Sequence, residues 1–252
     1  MKDAICVITF RPNTGLLQFY NKFTNYDVFI IVDDNNFDVS YYKLIFSNCN
    51  FVQISNSLCQ NAGFQNLSLL TLRKNVTGWD KAIYKMYQER NKYRFFWIAE
   101  DDVFIPHEKT LERIDNNINY MDIDLISNTE YSEAKYDKWV WRKIMHNIKI
   151  DKPYYCGMMC AVRVTKQMLE AINDYAEKFK KMFFLEAFFP TIAKHYGLKV
   201  NMGFLDEIKT ITHRDKFLDI NIKSTNLYHP IKDVQRHHKL RKTVDSSSLD
   251  EC

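Results

Sequence analysis

Four apolar runs constrain the fold of this chain more than any other feature: AICVITF (4–10), DVFIIVDD (27–34), FVQIS (51–55) and YRFFWIAEDD (93–102). Each is short and apolar on both faces, as in strands buried at the centre of a parallel sheet. The stretches between them carry helical stripes. GLLQFYNKF (15–23) sets Leu16, Leu17, Tyr20 and Phe23 on one face, and YYKLIF (41–46) reads as a short helix. In NVTGWDKAIYKMYQER (75–90), Trp79, Ala82, Ile83, Met86 and Tyr87 recur at the spacing of one helical face. Thr77 and Asp80 stand three residues apart ahead of that stripe, the spacing of a capping box. Alternation of strand and helix predicts an α/β, Rossmann-like domain with a mostly parallel central sheet flanked by helices.

The second half is less regular. Residues 108–118 read as a helix, 122–129 as a strand, 164–182 as an amphipathic helix and 182–200 as containing another. Residues 208–215 read as an edge strand, and the apolar pattern ends near 235. The expectation is one domain over 1–235 and a mobile polar tail over 236–252. The 252 residues, 46% of them hydrophobic, are enough for a sizeable core, and six Gly and five Pro exclude a linker-rich chain. A net charge of +4 is mild for a nucleic-acid binder and suits a small anionic ligand. The six cysteines form no Cys-x-x-Cys pair and read as reduced, structural thiols. There is no signal peptide and no run near the ~18 apolar residues of a membrane span, so the expected location is the cytoplasm.

The fourth run ends in Glu100, Asp101 and Asp102, followed by the apolar VFIP. Adjacent carboxylates repel one another and resist leaving water. In open α/β sheets, ligands bind at the carboxyl ends of the strands, where these acids and Asp33 and Asp34 are expected. Alternate side chains of an extended segment share a side, so Glu100 and Asp102 can point together. Such a pair suits a hard cation, Mn²⁺ or Mg²⁺, that also holds a diphosphate. The alternative is three solvated acids opening a helix, where the dipole favours them.

FWIAEDDVFI resembles the Asp-x-Asp segment of the GT-A glycosyltransferases, with Glu100 in place of the first Asp and Asp102 matching the second. The resemblance implies a GT-A-like fold, a nucleotide-diphosphate sugar as donor and Mn²⁺ or Mg²⁺ as cofactor. It implies Asp102 as a direct metal ligand, with Glu100 or Asp101 acting through water or on the ribose. AICVITFRPN, carrying Thr9 and Arg11, is similar to the family's opening nucleotide-binding strand and loop, and Asp33-Asp34 to the acids that hold base or ribose. Tyr228-His229-Pro230-Ile231-Lys232 resembles the C-terminal segment whose His completes the metal site, with Lys232 facing the leaving diphosphate. Asp80 and Lys81, off the apolar face of their helix and near its N-terminus, are placed for the diphosphate, or are a cap and a solvated Lys.

Glu186 is the one acid in the run FFLEAFFPTIA, so burial is expected to raise its pKa toward that of a general base. The segment is similar to the GT-A helix that carries an acidic base facing the acceptor; a structural, hydrogen-bonded acid is the other reading. CGMMCAVRV, with Gly157, resembles the segment lining the acceptor site, and Trp139 and Trp141 offer sugar platforms or core packing. The leading expectation is a metal-dependent transfer of a sugar to a hydroxyl of a glycan or glycoprotein, inverting if Glu186 is the base. A nucleotidyltransferase of the same fold would need a Gly-rich loop after the first strand, where RPNTG has one Gly. A binding protein for nucleic acid or an acidic partner would use His237, His238, Lys239, Arg241 and Lys242.

Overall fold

The computed structural model describes residues 2–68, 75–127, 137–139, 148–201, 208–210 and 222–244. The first half runs β1 (Asp3–Thr9), α1 (Thr14–Tyr20), β2 (Tyr26–Val32), α2 (Ser40–Ile45), β3 (Cys49–Val52), α3 (Asn56–Ala62), α4 (Gly78–Glu89) and β4 (Phe95–Glu100). The second half runs α5 (Glu108–Asp115), β5 (Leu125–Ile126), β6 (Ala161–Thr165), α6 (Lys166–Phe179), α7 (Leu185–His195), β7 (Val200–Asn201), β8 (Ile208–Thr210), β9 (Leu227–His229) and α8 (Val234–Thr243). Seven strands form one sheet in the order β3-β2-β1-β4-β6-β5-β7, and β8 and β9 form a separate pair. β3, β2, β1 and β4 are parallel, while β6 runs antiparallel to both β4 and β5.

The period of two along the strands splits the core. Ala4, Cys6, Ile8, Phe96 and Ile98 face one layer, packed with residues of α4, α6 and α7. Ile5, Val7, Trp97 and Ala99 face the other, with α1 and α5. β1 and β4 are thus covered on both sides, which puts chemistry at their ends. The capping box of Thr77 and Asp80 forms at the start of α4. Gly78 lets that helix close on β1: a Cβ built there would stand 2.4 Å from Ile8 Cγ2. Gly78→Ala is therefore expected to lower stability by about 1–3 kcal/mol through overpacking, read as a lower urea midpoint at unchanged slope.

The C-terminal segment differs from the expected polar tail. Residues 234–243 form α8, begun by Asp233, whose side chain accepts from Gln235 N. Two of its basic residues, His237 and Arg241, pack inward, while His238, Lys239 and Lys242 stay exposed. Arg241 donates from Nε to Ile105 O at 3.1 Å and lies 3.5 Å over the Phe19 ring, and His237 is buried edge-to-face against Phe104. The cause is the aliphatic and planar part of these side chains, which covers apolar surface as well as a hydrophobe does. Residues 245–252 lie outside the described residues. The five described cysteines are free, and no helix among the described residues is long and apolar enough to cross a membrane.

Candidate functional site

β1, β2 and β4 end side by side. Asp33 N donates to Thr9 O at 2.9 Å, and Asp101 N to Ile8 O at 3.0 Å. After Glu100 the chain turns, with Val103 N bonded to Glu100 O at 3.1 Å, and the three acids diverge. Asp101 accepts from the Thr9 hydroxyl at 2.6 Å. Glu100 and Asp102 face the C-terminal strand. Phe104 and Tyr228 exchange backbone bonds of 2.8 and 3.1 Å, and Ile231 N donates to Asp102 O at 2.8 Å. Those bonds clamp β9 beside the acid turn and bring His229 to it.

One ligand atom each from Glu100, Asp102 and His229 falls within a 4.8 Å cluster. His229 Nε2 stands 3.4 Å from Glu100 Oε2 and 3.3 Å from Asp102 Oδ1. Asp102 Oδ1 is nonetheless buried without a hydrogen bond of good geometry. A buried carboxylate oxygen normally has one. Two carboxylates and an imidazole match the hard and borderline preferences of Mg²⁺ and Mn²⁺, so these residues fit such a cation. Burial opposes charge on Asp102, but His229 and Lys232 outweigh it and hold the carboxyl below its usual range. Burial likewise opposes the His229 cation, yet Asp102, Cys160 and Glu100 push it up to about 12, so without a metal the ring is a protonated partner of the two acids and a metal bound here would displace its proton. Burial pushes Asp101 upward, and its two acidic neighbours add to the shift.

A cavity of about 340 Å³ opens at this strand end, lined by all three acids with Thr9, Asp33 and Trp79. That is within the range of small-molecule sites. Asp33 is held by Lys81, whose Nζ reaches Asp33 Oδ1 and O at 2.7 Å each and Asn35 Oδ1 at 3.1 Å. Lys81 is 1% exposed, so the solvated reading of it is corrected: burial beside an acid replaces solvent. Its three protons all face these oxygens, so it steadies Asp33 and the turn after β2. Asp80 is also buried, accepting from Leu67 N and from the backbone and hydroxyl of Thr77, and burial pushes it up to about 6. Neither side chain lines the cavity. Asp34 pairs with Arg11 at 2.7 Å. Lys232 is exposed, close enough to act on the Asp102 charge.

Glu186 lies in the first turn of α7, tied to the segment ahead of β6 by Gly157 N donating to Glu186 O at 2.7 Å. Burial, then the Glu100 charge, push its carboxyl up to about 7, with His229 partly offsetting them. The acid therefore shares the electrostatic neighbourhood of the Glu100–Asp102–His229 group and titrates near neutrality. Trp139 stacks on Phe184 with centroids 5.7 Å apart and planes 5° apart, while Trp141 lies outside the described residues. Sequence reasoning missed one participant. Trp79, assigned only to the apolar face, donates its indole N–H to Glu100 Oε1 at 2.8 Å. Its position 21 residues ahead of an acid carried no local signal.

No protein-family profile matches the sequence, and no curated protein matches it. The structure is similar to the galactosyltransferase LgtC in complex with donor and acceptor sugar analogues, at 10% identity and a TM-score of 0.53, covering 98% of this chain and 99% of that one. An active-site mutant of LgtC matches at 10% identity and 0.51, covering 98% and 99%. Mouse xyloside xylosyltransferase 1, in its apo form, matches at 10% identity and 0.46, covering 90% and 96%. The described residues share the GT-A-like fold of LgtC.

Proposed function

We propose that this GT-A-like chain is a metal-dependent glycosyltransferase. It moves a sugar from a nucleotide-diphosphate sugar to a hydroxyl of a carbohydrate or glycoprotein acceptor. The observation that carries the reading is the convergence of Glu100, Asp102 and His229 at the carboxyl ends of the central strands, beside a cavity. These three residues would hold Mn²⁺ or Mg²⁺, which when bound would supply positive charge beside the diphosphate. Lys232, exposed and near enough to act on the Asp102 charge, adds a positive charge at the same place. Asp33, the Arg11–Asp34 pair and the Thr9–Asp101 pair orient the nucleoside. Glu186 takes the proton from the acceptor hydroxyl as its oxygen attacks the anomeric carbon, so the configuration of the transferred sugar inverts. Arg241 of α8 donates to Ile105 O and His237 is buried, so two of the five basic residues that a nucleic-acid-binding role would use are turned into the fold.

The test is thermal unfolding with a panel of nucleotide diphosphates and nucleotide sugars, with and without Mn²⁺. A ligand that binds only the folded state, at ~100 times its Kd, is expected to raise Tm by about 5–10 °C. The rise should need Mn²⁺ and select one base. A rise without Mn²⁺ would remove the metal from the reading, and none with any ligand would sink it. Turnover followed by NMR of the product's anomeric proton reads the stereochemistry, and retention would take Glu186 out of the base role.

A further inference from the structure

Glu100 is partly exposed, with 36% of its side chain accessible. A glutamate at a strand end has rotamer freedom that favours solvent, and a cation ligand must give that freedom up. Its two oxygens are nevertheless divided between two tasks: Oε2 faces His229 Nε2 at 3.4 Å, and Oε1 accepts from Trp79 Nε1 at 2.8 Å. The indole that donates is rigidly placed. Trp79 is 4% exposed and packs edge-to-face on Phe189 of α7, with centroids 6.1 Å apart and planes at 76°. It also follows Gly78, the point where α4 closes on β1. An indole N–H donates and cannot accept, so it favours the ionised carboxylate and cannot itself ligate a cation.

We infer that Trp79 is a positioning residue for the cation site, fixing one Glu100 oxygen so that the other faces Asp102 and His229. The extra methylene of a glutamate at this position lets one carboxylate span from the indole to the imidazole. The inference rests on the metal-dependent reading above and deepens it: a carboxylate ligand oriented by an outer partner binds metal more tightly than a free one.

Mn²⁺ titration of the full chain, followed by the EPR signal of the free ion, tests it without reference to activity. Trp79→Phe keeps the ring against Phe189 and removes the N–H; it is expected to weaken Mn²⁺ binding roughly 10–100-fold. The same substitution made on Glu100→Ala is expected to change the remaining affinity less than about two-fold, because its route of action is gone. If Trp79→Phe folds poorly, 3-benzothienylalanine at position 79 keeps the bicyclic shape without the donor and is expected to show the same loss. Unchanged affinity in the wild-type background overturns the inference alone, as does an equal loss in both backgrounds. Failure of the wild-type chain to bind Mn²⁺ overturns the cation reading and the inference with it.

Discussion

Asp102→Ala is expected to abolish Mn²⁺-dependent nucleotide binding and to cut transfer by about 10³-fold, the scale of losing electrostatic stabilisation aimed at a leaving group. The residue is singled out by two facts. Its Oδ1 is buried without a hydrogen bond of good geometry, with the His229 ring facing it at 3.3 Å, and its carboxyl is held ionised by His229 and Lys232 against burial. Removing it leaves one carboxylate and one imidazole, too few protein ligands for a hard cation that is not already delivered by substrate. The fold should survive, because the side chain sits beyond the end of β4 and the backbone bond from Ile231 N to Asp102 O does not involve it. Calorimetry with Mn²⁺ and a nucleotide diphosphate, alongside a transfer assay, checks both halves. Normal Mn²⁺-dependent binding by the variant would remove the proposed cation site.

Glu186→Gln is expected to leave donor binding intact and lower the rate of transfer by about 10²–10⁴-fold, the usual contribution of a positioned base. Burial and the nearby Glu100 push its carboxyl up to about 7, so near neutrality a substantial fraction is protonated. A base works only when deprotonated. The wild-type kcat/KM should therefore rise with pH through about 7 and fall on the acid side, and that acid limb should vanish in the Gln variant. A full transfer rate in Glu186→Gln, or an unchanged acid limb, would assign the residue to structure.

Strands β1 to β4 were legible because full burial writes itself as continuous apolar runs, and α4 because its stripe and cap are local. α3 was not legible. Its buried side contributes only Cys59, so no period shows. The available signal was its pair of ends, Ser55 accepting from Leu58 N and Gly63 at φ 90°, where a Cβ would meet Ala176 O at 2.1 Å. α8 was misread because its packing residues are His237 and Arg241, which polarity scales count as solvent-facing. The buried Arg163 hid in the same way within an apolar strand. It donates to Asp115 at 3.2 Å, and that acid also accepts from Tyr26 at 2.5 Å and Trp97 at 3.0 Å. At the candidate site, the acids at the strand end could be read locally. Trp79 and Lys81 could not, because their partners Glu100 and Asp33 are distant in sequence and a hydrogen bond across that distance leaves no pattern.

The clamp of β9 on the turn after β4 also has a meaning for synthesis. Domains often begin folding from the N-terminal side while the chain is still being made. A nascent chain that has emerged through β4 already possesses Glu100 and Asp102, but the imidazole that faces them is encoded more than a hundred residues later. For that interval the acid pair has no His229 opposite it. On the proposed reading, the nascent protein cannot hold its cation tightly until β9 has left the ribosome. Cation loading then marks the emergence of β9.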